Sequence, residues 1–519
     1  VRPDGDAGGD VRRLAGGAAV QLAGKLVGRG SAFFLQLALA RFLGPGPYGL
    51  YTLGHTVFLI TGLAATLGLE HGAIRFASRH LGEDPARLGA VLRTCLRLAL
   101  GSSLAIAATL YFAAPGLAVG VFDKPGLAPV LALLACGLPL LALLRVAAAG
   151  TRVSQRMHYS AVAEDLVQPL TNLTLVAVFW LLGWRLLGAA GAMVLSFAVA
   201  AAVAAAFLRR TFPAVTARGG PAPRSAELVG FSIPAAFAGL LGLGTLWADR
   251  LLVGIFRSEA ETGIYGAAAH PATVLALLLT SFNAIFAPMI AELYQKGEQR
   301  RLEQLFRTGT RWGVCLAMPA FLAVVLFPRE LIAVVLGAGY LPGDRAMVIL
   351  TSGQMANVAT GAVGFLLVMS GRQRLWMWMT AAALLANVGL NSLWIPRYGL
   401  VGAAAATACV LAALFVAALW AVHRSLGLWP YDRRVVKDLA AAAVTAAALG
   451  LIRWAGPGSQ TAMVALVLAG APAVFWISRA WLGFEAEERE IFRSLRRRSA
   501  ASPTTPPPTA EPPPDRHPT

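Results

Sequence analysis

Residues 93–124 read RTCLRLALGSSLAIAATLYFAAPGLAVGVFDK. No charge interrupts the run between Arg97 and Asp123. A helix needs about 20 apolar residues to cross a hydrocarbon core about 30 Å thick, and this run is long enough. In lipid every backbone N–H and C=O must be satisfied within the segment, so the run is expected to be a helix. Its flanks are unequal: Arg93 and Arg97 precede it, and Lys124 alone follows.

The same reading extends outward over the whole chain. Fourteen apolar stretches, each about 18–25 residues long, meet the crossing requirement. Their approximate bounds are 18–42, 48–69, 95–114, 127–149, 162–182, 185–207, 230–255, 263–290, 308–327, 342–370, 375–395, 400–422, 437–452 and 461–482. With charges near span ends counted to the loops they adjoin, 33 of the 44 Lys and Arg residues fall on one side and 7 on the other. Lys25, Arg29, Arg41 and Arg250 are kept as the 4 charges within spans. Lys and Arg concentrate in cytoplasmic loops. Both termini are therefore expected in the cytoplasm, and the chain in the plasma membrane as a multi-pass protein.

Composition agrees with the span pattern. The 519 residues are 57% hydrophobic and 13% charged, about half the charge of a soluble domain. A net charge of +18 could suggest nucleic acid. The basic residues, however, sit in short loops between apolar runs, where orientation and anionic headgroups account for them. Cys95, Cys136, Cys315 and Cys409 stand singly in apolar stretches, so free thiols are expected, with neither metal nor disulfide. No G-x-x-x-x-G-K-[ST], H-E-x-x-H or G-x-S-x-G pattern occurs, and no cofactor is expected. Lys25 and Arg29 interrupt the first apolar run, which does not read as a cleavable signal peptide.

The expected organisation is all-α. Residues 1–17 form a cytoplasmic arm, 18–210 an N-lobe of spans 1–6, and 211–229 a cytoplasmic linker. Residues 230–424 form a C-lobe of spans 7–12, 425–483 two accessory spans, and 484–519 a cytoplasmic tail, Pro-rich and disordered after 499. The two lobes are expected to be copies. At an offset of 214, Gly49-Leu50-Tyr51 returns as Gly263-Ile264-Tyr265, Arg93-Thr94 as Arg307-Thr308, and Arg97 as Arg311. A repeated unit of six spans is even, so both copies enter the membrane in the same sense. Such parallel repeats enclose a central cavity. Spans 13 and 14 fall outside the duplication and are expected to form an accessory hairpin, with a lipid-facing groove or a partner surface.

Charges within spans are the candidate functional residues, because each costs about 2.5–3.5 kcal/mol at a helix centre. Gln21, Lys25, Arg29 and Gln36 fall within about 80° of one another on a helix. This polar stripe reads as a cationic cavity wall suited to a phosphate headgroup; alternatively, Lys25 snorkels to the surface. In span 7, Asp249 and Arg250 are adjacent and so point about 100° apart. Asp249 is a candidate ion-coupling site or a counter-charge for Arg29, and Arg250 a second phosphate ligand; the plain alternative is a static ion pair. His55 and His270 read as packing residues or proton relays. Asn172, Asn283, Asn387 and Asn391 read as sugar ligands, Asn283 foremost, or as helix–helix bonds. Glu70, Glu164, Asp165 and Glu292 read as solvated span ends.

Three motifs then resemble a known family. Ala40-Arg41-Phe42-Leu43-Gly44-Pro45 followed by Tyr48-Gly49-Leu50-Tyr51 is similar to the A-R-x-L-G-x-x-x-Y-G-x-Y signature of Wzx-type polysaccharide flippases. Asp249-Arg250 followed by Glu261-Thr262-Gly263-Ile264-Tyr265 resembles their D-R … E-x-G-x-Y. Leu336-Gly337-Ala338-Gly339-Tyr340 resembles their F-G-x-x-Y, with Leu in the Phe place. The likeness runs from about residue 15 to 482. It implies membership of the multidrug/oligosaccharidyl-lipid/polysaccharide exporter superfamily and alternating access between two lobes. It also implies a non-enzymatic flippase that turns polyprenyl-diphosphate-linked oligosaccharide from the inner to the outer leaflet for surface polysaccharide synthesis. Expected partners are that lipid-linked glycan and membrane lipids, with a polysaccharide polymerase or ligase as a further candidate. The alternatives are a multidrug/cation antiporter or a lipid II flippase of the same fold, and, from another class, a membrane glycosyltransferase.

Overall fold

Glycine, proline and capping residues cut the apolar runs into helices. The computed structural model of the protein describes residues 27–154, 157–216, 225–456 and 459–482. The expected N-terminal arm and the C-terminal tail lie outside the described residues, as do residues 217–224 of the linker.

The first half comprises α1 (27–43), α2 (Pro45–Thr66), α3 (Leu69–Ser78), α4 (Pro85–Gly116), α5 (Leu127–Ala135), α6 (Leu138–Val153), α7 (Met157–Ala161), α8 (Gln168–Leu181) and α9 (Leu186–Thr211). The second comprises α10 (Ser225–Phe256), α11 (Glu259–Ala268), α12 (His270–Gln295), α13 (Gln299–Leu326), α14 (Pro328–Leu331), α15 (Asp344–Thr360), α16 (Val363–Met369) and α17 (Gln373–Leu426). α18 (Val435–Ala455) and α19 (Gln460–Trp481) close the order, and no strand occurs among the described residues. Local chemistry sets several starts. The Asp84 carboxylate accepts the Arg87 N–H at α4, and Ser258 with Glu261 forms a capping box at α11, each satisfying amides the first turn leaves open.

Among the described residues ten helical stretches, several of them two consecutive helices, are long and apolar enough to cross a bilayer, or eleven if the 45° bent pair Ala338–Thr360 and Val363–Met369 is one span. This is fewer than the fourteen stretches in the sequence. Span 1 lies only partly within the described residues, and a π-helical segment, Val162–Val167, breaks span 5. α17 runs for 54 residues without a coil break, yet it is not straight. Gly399 has φ 60° and ψ −137°, a conformation open to glycine and not to a helix interior. Beyond it the chain doubles back. Asn387 Nδ2 donates to Thr407 Oγ1 at 3.4 Å across 20 residues, a separation of about 30 Å on a straight helix. Spans 11 and 12 are therefore a hairpin, and Asn387 bonds its two arms.

Similar contacts recur in the two halves of the chain. Arg93 Nη1 donates to the Ala214 carbonyl at 2.5 Å, and Arg307 Nε donates to that of Trp429 at 3.2 Å. Each ties the start of its lobe's third span to the chain leaving its sixth. α4, α6 and α9 pack in sequence in one lobe, as α13, α15 and α17 do in the other. Leu53, Phe58, Leu92 and Leu131 sit in the N-lobe core. α18 and α19 pack on each other and on α13. Large apolar side chains remain outward, among them Trp184, Trp454 and Trp481 at helix ends, as lipid contact permits and the interface favours.

Candidate functional site

The lobes touch most closely where α2 crosses α11. A Cβ on Gly49 would overlap the Glu259 carbonyl oxygen, and one on Gly263 would overlap that of Pro45. Only glycines allow this approach, and they are the two glycines that correspond in the repeat. Further ties lie at the same end, opposite the basic loops. Arg41 Nη1 donates to the Val334 carbonyl at 2.8 Å. The Tyr340 hydroxyl donates to the Ala40 carbonyl at 2.6 Å. Lys124 Nζ donates to the Gly254 carbonyl at 2.5 Å. Burial lowers the proton affinity of Lys124, with Glu259 the leading opposing charge. Arg41 was read from the sequence as a charge within span 1; its guanidinium serves this seal instead.

Behind the seal lies a cavity of about 410 Å³ between the lobes. α1 contributes Arg29, Phe33 and Gln36; α2 contributes Tyr48, Thr52 and His55; α10 contributes Trp247 and Arg250; α12 contributes His270, Thr273, Leu277 and Thr280. Two arginines, from different lobes, share this wall. No carboxylate lies on it among the described residues.

The polar side chains are oriented by one another. Tyr48 Oη lies 2.8 Å from His270 Nε2 and donates to Gln36 Oε1 at 3.1 Å. Arg29 Nη1 donates to Thr280 Oγ1 at 3.3 Å, bridging α1 to α12. The Arg250 guanidinium stacks on the Trp247 ring, 4.1 Å from its centroid. That contact holds the guanidinium plane. Arg29 and Gln36, placed on one stripe by helical spacing, both reach the cavity. Lys25, with Gln21, lies outside the described residues. Asn283 lies on α12, and its side chain lies outside the described atoms.

Asp249 points elsewhere. It is 5% exposed and absent from the cavity wall. It accepts from the Tyr265 hydroxyl at 2.7 Å and from the Arg250 N–H at 2.8 Å. Among the described residues it makes no ion pair, with Arg29 or any other cation. The adjacent pair thus splits, Asp249 toward α11 and Arg250 into the cavity.

Other candidates take structural places. Asn391 Nδ2 donates to Asn387 Oδ1 at 3.0 Å inside the α17 hairpin. Asn172 is buried in α8. Glu164 pairs with Arg152 and is mostly buried, so it is not a solvated end. Glu292, exposed beside Lys296 at 2.5 Å, is one. The sequence reading passed over Tyr48, Tyr265 and Trp247. The repeated tyrosine of Gly49-Leu50-Tyr51 and Gly263-Ile264-Tyr265 was the available signal for the second. It also passed over a buried ion pair, Asp438 with Arg479 Nε at 2.6 Å, whose side chains are 3% and 1% exposed.

Residues 38–343, more than half of the chain, match the family described as polysaccharide biosynthesis protein. The chain belongs to that family. The matched region includes the α2–α11 crossing, the seal and every cavity-lining residue except Arg29, Ala32, Phe33 and Gln36. Among its relatives, the probable low-salt glycan biosynthesis flippase Agl15 of Haloferax volcanii is 25% identical over 162 residues. That match covers 31% of this chain and 34% of the relative, so the chain spans about a third of that protein's length. Among solved structures, the lipid II flippase MurJ in an inward closed conformation superposes with a TM-score of 0.69. It shares 10% identity, over 92% of this chain and 99% of that one. An inward-facing multidrug resistance MATE transporter of the MOP superfamily has a TM-score of 0.64 at 14% identity, over 79% of this chain and 98% of that one. This member of the polysaccharide biosynthesis protein family therefore has the all-helical, multi-pass fold those structures share.

Proposed function

We propose that the protein is a flippase that moves polyprenyl-diphosphate-linked oligosaccharide from the inner to the outer leaflet for surface polysaccharide synthesis. The observation that carries the reading is the inter-lobe cavity, which presents Arg29 and Arg250 and no carboxylate among the described residues. A diphosphate is the part of such a cargo that cannot enter hydrocarbon unaided. Two guanidinium groups from opposite lobes offer planar, multi-donor recognition of its oxygens. Lys25 is proposed as a further ligand of the same group. Gln36 and Asn283, with the Tyr48–His270 pair, are proposed to take sugar hydroxyls. The glycan-biosynthesis relative and the family description favour this cargo.

Movement would follow from the seal. With the termini and basic loops in the cytoplasm, the ties among Arg41, Lys124 and Tyr340 close the outer end. The cavity then faces inward, and rocking of the lobes about the Gly49–Gly263 crossing would expose it outward. Asp249, buried and hydrogen-bonded by Tyr265 where α10 meets α11, is the proposed coupling residue. A charge there is costly in a membrane, so one kept without a use is unexpected. The lobe bounds 18–210 and 230–424, with the accessory spans in 425–483, are proposed as the moving units.

The test uses cells depleted of this protein. A membrane-impermeant glycan-modifying enzyme reports which leaflet holds the polyprenyl-diphosphate-linked sugar. Protected, inward-facing accumulation is expected, and mass spectrometry of that lipid names the cargo. If lipid II accumulates, the protein is a lipid II flippase. If no lipid-linked glycan accumulates and drug sensitivity changes, it is a cation antiporter and the proposal fails.

A further inference from the structure

A second groove of about 590 Å³ lies away from the inter-lobe cavity, on the N-lobe at the basic-loop end. Its floor is α6, with Leu143 facing it, and its walls are α4 and α9. Arg93, Arg97 and Arg209 ring one end, and no carboxylate lines it among the described residues. Below the arginines the α9 wall is small: Ala198, Ala201, Ala202 and Ala205, a strip about 10 Å long at 1.5 Å per residue.

The duplication supplies a comparison within the same molecule. At the repeat offset, Ala201 corresponds to Phe415, Leu208 to Val422 and Val215 to Trp429. In the C-lobe two of these three positions carry larger, aromatic side chains. Phe415 and Val422 pack in one apolar cluster with Tyr431. The Tyr431 hydroxyl donates to the Ala359 carbonyl at 2.9 Å, and the Trp429 ring lies 5.7 Å from that of Tyr431. Arg97 corresponds to Arg311, which is 7% exposed, whereas Arg97 and Arg209 are exposed. One lobe carries aromatic side chains at two of these positions. The other has a groove lined with alanine and ringed with arginine.

The geometry points to this N-lobe groove as a binding site for an anionic glycerophospholipid. The phosphate sits between Arg97 and Arg209, and an acyl chain lies along the alanine strip. Arg93, tied to the Ala214 carbonyl, forms the rim. Basic pockets between helices on the cytoplasmic side recognise anionic headgroups in this way. The apolar lower part needs a hydrocarbon occupant, which a free phosphate does not have.

The test reconstitutes the full chain in nanodiscs of phosphatidylcholine and phosphatidylglycerol at 4:1 and counts retained lipids by native mass spectrometry. Preferential retention of phosphatidylglycerol is expected. Arg97→Gln and Arg209→Gln should each lower that retention about fivefold, the loss of about one surface charge's attraction. Ala202→Phe, which fills the groove at an exposed alanine of the strip without changing charge, should abolish retention while thermal unfolding in pure phosphatidylcholine stays as in wild type. Equal retention of both lipids would overturn the assignment. So would phosphatidylglycerol retention unchanged in all three variants, or a groove occupied by a co-purifying protein.

Discussion

Gly49 on α2 and Gly263 on α11 are pressed together so closely that each occupies the space a side chain on the other would need. The Gly263 amide nitrogen would lie 2.8 Å from a Cβ on Gly49, and the Gly49 nitrogen 2.9 Å from a Cβ on Gly263. Two corresponding glycines of a duplicated unit touching each other is what a two-fold relation between lobes produces, because only residues on the axis meet their own copies. The closed end of the cavity is built around this point.

Alanine at either glycine should force the helices apart. Overpacking of this kind costs about 1–3 kcal/mol. Gly49→Ala and Gly263→Ala should each lower the unfolding midpoint of the purified protein. A wild-type midpoint in both would mean the crossing is looser than described.

Arg29→Ala should abolish polysaccharide export while membrane insertion stays intact. Losing a charge-assisted contact costs about 1.5–3 kcal/mol, or roughly 10–100-fold in headgroup affinity. Export assayed beside membrane abundance checks this, and normal export in an inserted variant contradicts it. Arg29→Lys should restore only part, since lysine lacks the planar fork.

Asp249→Asn should slow turnover with cargo affinity retained, because the carboxylate faces Tyr265 and not the cavity. Tyr265→Phe should weaken the same step more mildly. The measurement is cargo flipping in proteoliposomes with and without an imposed proton gradient. Equal sensitivity of wild type and Asp249→Asn to the gradient would rule out this coupling role.

Lys124→Met should loosen the outer seal, since its ammonium spans the lobes to the Gly254 carbonyl. Labelling of a Thr52→Cys reporter from outside should rise. The Lys124 pKa is depressed by burial. Wild type should therefore lose the charged form, and with it the charge-assisted part of this tie, as pH rises through a range below that of an ordinary lysine. The Lys124→Met background should show no such pH response.

Asp438→Asn should destabilise the accessory hairpin strongly. Removing one partner of a buried pair costs about 3–5 kcal/mol. Asp438 is close to Arg311 as well as Arg479, so its loss leaves two buried cations, whereas Arg479→Met leaves the carboxylate one. Thermal unfolding should rank Asp438→Asn below Arg479→Met, and the reverse order would show that Arg311 is not served by Asp438.

Much of the site was legible one helix at a time. Arg29 and Gln36 reach one cavity because 3.6 residues per turn places them on one face, and Asp249 and Arg250 diverge for the same reason. Their partners were not legible. Nothing local to Tyr48 indicates His270, and nothing near Asp438 indicates Arg479, because each pairing joins helices far apart in the chain. Asn387 and Asn391 were equally good as sugar ligands until the reversal at Gly399 turned them into the hairpin's own hydrogen bonds.

The sequence by itself determined an all-helical membrane protein, the alternation of its basic loops and the repeat at 214 residues. These follow from bilayer thickness, backbone hydrogen bonding and charge, which act on each segment separately. Only the tertiary structure decided which repeated glycines touch and which end of the cavity is sealed. It also decided that α4, α6 and α9 enclose an alanine-lined, arginine-ringed groove. Those outcomes depend on how closely particular helices approach, and in lipid that is set by side-chain size at the contact and not by hydrophobicity.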